Sequence, residues 1–118
     1  MDIDFSDGLE IMQSAIEEQL YGALLQQLNK DFNLSNVAIN FRVTAAPKEV
    51  MALLHEKIYY LMLEKFTAYL NVLYIVDVPE KAFKAIGSND VVEVAKQVSC
   101  LILKREFQKV RWRNRYAS

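Results

Sequence analysis

The sequence predicts a mainly α fold, four to five helices packed in one compact domain over residues 1–118, with a minor two-stranded β element at about 1–6 and 37–43. Three observations lead there. Glycine (3) and proline (2) are scarce, so the chain has few places to turn tightly and should run in long elements. Hydrophobic residues make up 53%, which a chain of 118 residues can bury as one core without metal or disulfide. Apolar residues recur at helical spacing over most of the length.

Residues 1–6 alternate, Ile3 and Phe5 against Asp2, Asp4 and Ser6, which is the period of a short half-buried strand. Asp7 with Glu10 reads as a capping-box variant opening a first helix. That helix is expected to run to about Lys30, with Leu9, Met12, Ile16, Leu20 and Leu24 on one face and Tyr21, Leu25, Leu28 and Phe32 widening it. A turn at 33–36 follows. Val37, Ile39, Phe41 and Val43 then alternate with Ala38, Asn40, Arg42 and Thr44, the clearest strand pattern in the chain. A lone strand leaves its backbone groups unpaired, so its partner should be the N-terminal segment or the same strand of another subunit.

Pro47 suits the first position of a helix. Val50, Met51, Leu54, Ile58, Leu61, Met62, Tyr69, Val72, Leu73 and Val76 keep helical spacing from there, with a bend expected near 64–67. The stretch 69–78 is rich in β-branched and aromatic residues, which makes a strand the rival reading. The unbroken spacing favours helix. The opposite face, with Leu53, Tyr59, Tyr60, Leu63, Leu70 and Tyr74, is apolar too, so this helix should be central in the fold or shared between subunits. Pro79 stops it. Asp77 with Glu80 is expected to cap a short helix carrying Ala82, Phe83 and Ile86 and ending at Gly87. Asn89 or Asp90 opens the last helix, to about Arg113. Its main stripe is Val91, Val94, Ala95, Val98, Leu101, Ile102 and Trp112; a second is Val92, Leu103, Phe107 and Val110.

Charge is sorted end to end beneath a formal net charge of −1. The first 29 residues hold six acids (Asp2, Asp4, Asp7, Glu10, Glu17, Glu18) and no base, while 104–118 hold six bases and one acid, Glu106. The basic end also carries Phe107, Trp112 and Tyr116. Lys104, Arg111, Trp112, Arg113 and Arg115 are therefore candidate polyanion contacts, since cations attract phosphates and aromatics stack on bases. A sequence pI near 5.8 and the natural preference for bases at a helix C-terminus weigh against that reading. Arg105 and Lys109 fall on the apolar side of the helix, where a guanidinium needs a carboxylate or helix-end carbonyls. Arg105 with Asp77, or with acids of the first helix, is the candidate structural ion pair; a packed stem with its head in water is the alternative.

Catalytic chemistry has little to draw on, and no enzyme is expected. The single histidine, His55, flanks an apolar stripe and reads as a partly exposed, hydrogen-bonded imidazole. The single cysteine, Cys100, reads as a buried inert thiol and permits no internal disulfide. Glycines at 8, 22 and 87 make no phosphate loop, and no cofactor or metal is expected. The N-terminus has no signal-peptide pattern and no apolar run is long enough to cross a bilayer, so a cytoplasmic setting without membrane partners is expected.

The run Tyr69-Leu70-Asn71-Val72-Leu73-Tyr74-Ile75-Val76-Asp77-Val78-Pro79-Glu80, with Leu101-Ile102-Leu103-Lys104-Arg105-Glu106-Phe107-Gln108-Lys109-Val110, resembles small uncharacterised bacterial helical proteins. The resemblance covers about the C-terminal half. It implies a bacterial source and an all-helical body there, and it brings no activity and no site residues. The functional expectation is a non-enzymatic interaction or assembly protein that forms homo-oligomers, with a protein partner as an option and nucleic-acid or polyanion binding as the second choice.

Overall fold

The computed structural model describes residues 3–116, which form six helices: α1 (Ser6–Glu17), α2 (Tyr21–Leu34), α3 (Pro47–Glu64), α4 (Phe66–Val76), α5 (Glu80–Lys84) and α6 (Val91–Tyr116). The predominantly helical reading holds for them. The helices exceed the expected four to five because the first predicted helix is divided at 18–20 and the long middle one at Lys65. No described residue lies in a strand.

Three helices end in the same way, and the shared device explains why the breaks carry no glycine. Gln19, Asn36 and Asp77 each adopt a left-handed backbone, with φ of 60°, 62° and 70°. The residue after each turns back and donates to a carbonyl in the last helical turn: Leu20 to Ala15 (2.7 Å), Val37 to Phe32 (2.9 Å) and Val78 to Leu73 (3.0 Å). This is the Schellman closure, with an apolar residue just past the end folded onto the last turn. Leu20, Val37 and Val78 are all buried, so core burial offsets the cost of a left-handed non-glycine residue, about 1–2 kcal/mol. At Asp77 the closure replaces the cap expected for the next helix: Asp77 ends α4, and α5 begins after Pro79 with no side-chain cap. Gly87 is not a left-handed cap either, because α5 stops at Lys84 and no glycine has a positive φ.

Helix starts follow local chemistry. At α1 it is Asp4, not Asp7, that accepts the Ser6 amide, at 2.9 Å. Pro47 occupies the first turn of α3. Asp90 accepts the Val92 amide at 3.0 Å and itself receives support from Ser88, whose hydroxyl accepts the Asp90 amide at 3.1 Å.

The expected β element is not formed, although its alternation is real. Val37, Ile39 and Phe41 turn inward and Ala38, Asn40 and Arg42 outward. The Asn29 carboxamide of α2 takes the place of a neighbouring strand: its Oδ1 accepts the Phe41 N–H (2.7 Å) and its Nδ2 donates to the Phe41 carbonyl (2.9 Å). Asn33 donates to the Ile39 carbonyl at 2.9 Å. At the other end of the chain, Met1 and Asp2 lie outside the described residues, and Phe5 packs edge-on to the His55 ring with centroids 5.3 Å apart.

α6 is the hub, packed against each of the other five helices. Its buried face is Ala95, Val98, Ser99, Ile102, Leu103, Glu106, Phe107 and Val110. Full burial of a residue such as Ile102 or Leu103 contributes about 1.5–3 kcal/mol. This face is rotated from the expected main stripe: Val91 and Trp112 are exposed, and Glu106 lies at the centre. Among the described residues no helix is long and apolar enough to cross a membrane.

Candidate functional site

The last four turns of α6 carry their cations on two lines. Arg105, Lys109 and Arg113 are four residues apart and share one edge of the helix. Each reaches a different acceptor on a neighbouring helix. Arg105 Nε donates to the Asp77 backbone carbonyl at 3.0 Å and Nη2 lies 3.0 Å from Asp77 Oδ2. Lys109 Nζ meets Asp31 Oδ2 at 2.6 Å and donates to the Val76 carbonyl at 3.0 Å. Arg113 donates to Gln27 Oε1, and Gln27 donates to Asp31 Oδ2 at 3.1 Å. Residues 27 and 31 of α2 thus meet 113 and 109 of α6, a four-residue step on each helix that sets their antiparallel register.

The second line, Lys104, Arg111 and Arg115, runs along a different side. Arg111 makes a two-point pair with Glu18, Nε to Oε1 at 3.0 Å and Nη2 to Oε2 at 2.6 Å, and its guanidinium stands 4.5 Å over the Phe107 ring. An acid of the N-terminal region therefore closes on the basic end. Glu18 is held below its usual carboxylate range by that guanidinium. Lys104 and Arg115 are exposed and form no ion pair among the described residues. Trp112 stands 66% exposed, its ring 4.8 Å from Tyr116, beside a groove lined by Arg105, Gln108, Lys109 and Arg113.

Beneath the first line lies a residue that the sequence reading passed over. Glu106 is 0% exposed. Lys109 Nζ is 2.7 Å from its Oε1, but off the line a hydrogen bond requires, and neither carboxyl oxygen has a donor. Two carboxyls and one ammonium share this pocket, so charge balance calls for one proton on the acids. Burial first, and the neighbouring Asp31 second, push Glu106 up to about 8. Burial also acts to raise Asp31, yet the hydrogen bonds from Glu106, Lys109 and Gln27 together hold it below the usual range. Protonated Glu106 donating to ionised Asp31 satisfies both. The spacing carried a clue: Glu106 continues the Ser99, Ile102, Leu103, Val110 face, and only its charge argued for water.

These contacts join helices of the same chain. Glu106 has a pKa fit for proton transfer near neutrality but no exposure to solvent. His55 is buried rather than partly exposed, its Nε2 3.0 Å from the Val92 carbonyl. Cys100 is half-buried rather than fully buried, and burial pushes its thiol up, away from thiolate reactivity. Among the described residues no group of three His, Cys, Asp or Glu is arranged to hold a metal ion.

Of the candidate polyanion contacts, Arg111 and Arg113 are engaged within the chain, and Lys104, Trp112 and Arg115 face outward. No protein-family model matches the chain, no curated protein matches it, and no solved structure matches it.

Proposed function

We propose that this is a non-enzymatic interaction protein that self-associates through the outer face of α3 and α4. The observation that carries the reading is an exposed apolar stripe: Leu53, Tyr60 and Leu63 on α3, then Phe66, Leu70 and Tyr74 on α4, with Tyr74 83% exposed. Phe66, Leu70 and Tyr74 are four residues apart and share one side of α4. Single exposed apolar residues are ordinary, but a run of large ones along two consecutive helices marks an interaction surface. The second copy suits the charges beside the stripe. Exposed or half-exposed acid–base neighbours, Glu56 with Lys57 and Glu64 with Lys65, offer both signs, so a copy related by a two-fold axis can meet opposite charge.

Light scattering tests this directly. The chain at micromolar concentration should have the mass of two copies, and a Leu70→Lys, Tyr74→Lys double substitution on the solvent side should return it to one. A single-chain mass for the unmodified protein sinks the reading. Polyanion binding ranks second, because the internal pairs of Arg111 and Arg113 leave fewer cations for phosphates.

A further inference from the structure

We propose that residues 37–42 are an open strand edge that pairs antiparallel with the same segment of a second copy. The proposal rests on the self-association reading and specifies the contact that would give it register.

The inward edge of this segment is closed by α2. Asn29 grips both backbone groups of Phe41, Asn33 takes the Ile39 carbonyl, and the Val37 amide donates to the Phe32 carbonyl at 2.9 Å. Backbone groups of successive residues in an extended chain point to opposite edges. Ala38 and Asn40 therefore present theirs outward, and no hydrogen bond among the described residues uses their backbone, whereas the Arg42 carbonyl already accepts the Ala45 amide at 2.9 Å and marks the end of the open edge. Proteins blunt a free edge with lysine, proline or a bulge. Ala38 and Asn40 are small and uncharged, and no lysine or proline stands between 37 and 41.

What should cover such an edge is main chain, since only another extended backbone offers donors and acceptors at matching intervals. A second copy fits for two reasons. With the two-fold axis at Asn40, Asn40 faces Asn40 and Ala38 faces Arg42, so no like charges meet across the pair. The edge also opens onto a groove lined by Ile39, Asn40, Phe41, Leu53, Glu56, Lys57 and Tyr60, and Leu53 and Tyr60 belong to the apolar stripe. One copy's Arg42 has an acid available there in the other copy's Glu56. Ladder and stripe thus form one continuous surface.

The test is the solution mass of Asn40→Pro. Proline removes an amide that has no partner within the chain and that the ladder needs. Expected are a two-copy mass for the unmodified protein and a one-copy mass for Asn40→Pro with helical circular dichroism unchanged. A two-copy mass for both overturns strand pairing and leaves the stripe standing; a one-copy mass for the unmodified protein overturns both. Should Asn40→Pro lose its helical signal, Asn40→Cys in a Cys100→Ser background decides. Cross-linking into a covalent dimer under mild oxidant supports the ladder, and failure to cross-link overturns it.

Discussion

Arg105 of α6 holds Asp77 twice, by its backbone carbonyl and by its carboxylate, each at 3.0 Å. The two bonds are unequal. The carbonyl belongs to the end of α4, where the last acceptors of a helix lack partners and a cation meets the negative end of the dipole. The Asp77 carboxylate is 75% exposed and well screened. The backbone bond is therefore the larger contribution. Arg105→Met should cost about 1–2 kcal/mol in urea unfolding. Asp77→Asn keeps the carbonyl and tolerates a φ of 70°, so it should cost about 0.5 kcal/mol or less. Equal losses from the two substitutions would assign the tie to the carboxylate instead.

Glu106 makes stability depend on pH in a specific direction. Its folded pKa is raised from 4.5 to about 8, so between those values the folded state keeps a proton that the unfolded chain releases. Its contribution is complete below the unfolded value and is lost as pH rises toward the folded one. Asp31 acts the other way: held low, it contributes above its ordinary 3.8 and loses that in acid, outside the window set by Glu106. Melting temperature should thus fall as pH rises from about 5 to about 8. Glu106→Gln keeps the shape and a donor for Asp31 without the titration. It should flatten that slope and raise stability near the top of the range by on the order of 3 kcal/mol. A wild-type slope retained in Glu106→Gln would place the titration elsewhere.

Lys109 is the counterpart. Lys109→Met leaves Asp31 and Glu106 without their ammonium, and losing one partner of a buried charged group typically costs about 3–5 kcal/mol. The loss should be partly restored by adding Asp31→Asn, since a neutral amide no longer needs the cation. A double-substitution cycle by chemical denaturation checks this, and additive losses at 31 and 109 would mean that the residues are not coupled.

The contrast between Glu106 and Arg105 marks what was legible in the sequence. Helical spacing carried α3, α4 and α6 and the bend between the first two, because that periodicity survives in the packed faces. The break at 18–20 was hidden. It is made by Gln19 in a left-handed turn, a conformation usually flagged by glycine, and it is stabilised by Leu20 burying its side chain, which reads equally as one more residue of a helical stripe. The strand period was read correctly over 37–42, failed at Val43, which is exposed in a turn, and was wrongly read as a sheet. Its partner proved to be the amide side chain of Asn29, which looks like a polar surface residue in a linear reading. On α6 the cations at 105 and 109 were placed toward the protein by spacing, while Glu106 was passed over because burial of an acid depends on Asp31 and Lys109, and one of these lies far away in sequence.

Asn29 provides a test of its own. Its carboxamide both accepts from and donates to Phe41, a pairing that only an amide can make. Asn29→Asp keeps the acceptor but sets an anion against the Phe41 carbonyl, while Asn29→Ala removes both bonds. Each should lower stability by about 1–3 kcal/mol, with Asp no better than Ala despite its closer shape. Amide hydrogen exchange at Phe41 should accelerate in Asn29→Ala. Unchanged exchange there would show that the segment is held by Val37 and Phe41 packing alone.

Two helical glycines should respond oppositely to alanine. Gly22 lies in the first turn of α2, where an added Cβ would meet only Val43, its Cγ1 at an ordinary 3.6 Å and its Cβ at 3.9 Å. Gly22→Ala should therefore gain about 0.4–1 kcal/mol by restricting the unfolded chain. At Gly8 the same Cβ would come within 2.4 Å of Met51 Sδ and 3.4 Å of Leu103 Cδ1. Methionine is flexible, but Met51 is fully buried and its thioether has nowhere to move without displacing core neighbours. Overpacking of this kind costs about 1–3 kcal/mol, which exceeds the helix-propensity gain of about 1 kcal/mol. Gly8→Ala should be neutral to destabilising, and adding Met51→Val, which shortens the opposing side chain, should recover part of the loss. Thermal melts of the three variants decide it: a Gly8→Ala protein that gains as much as Gly22→Ala would mean that α1 is free to shift away from α3.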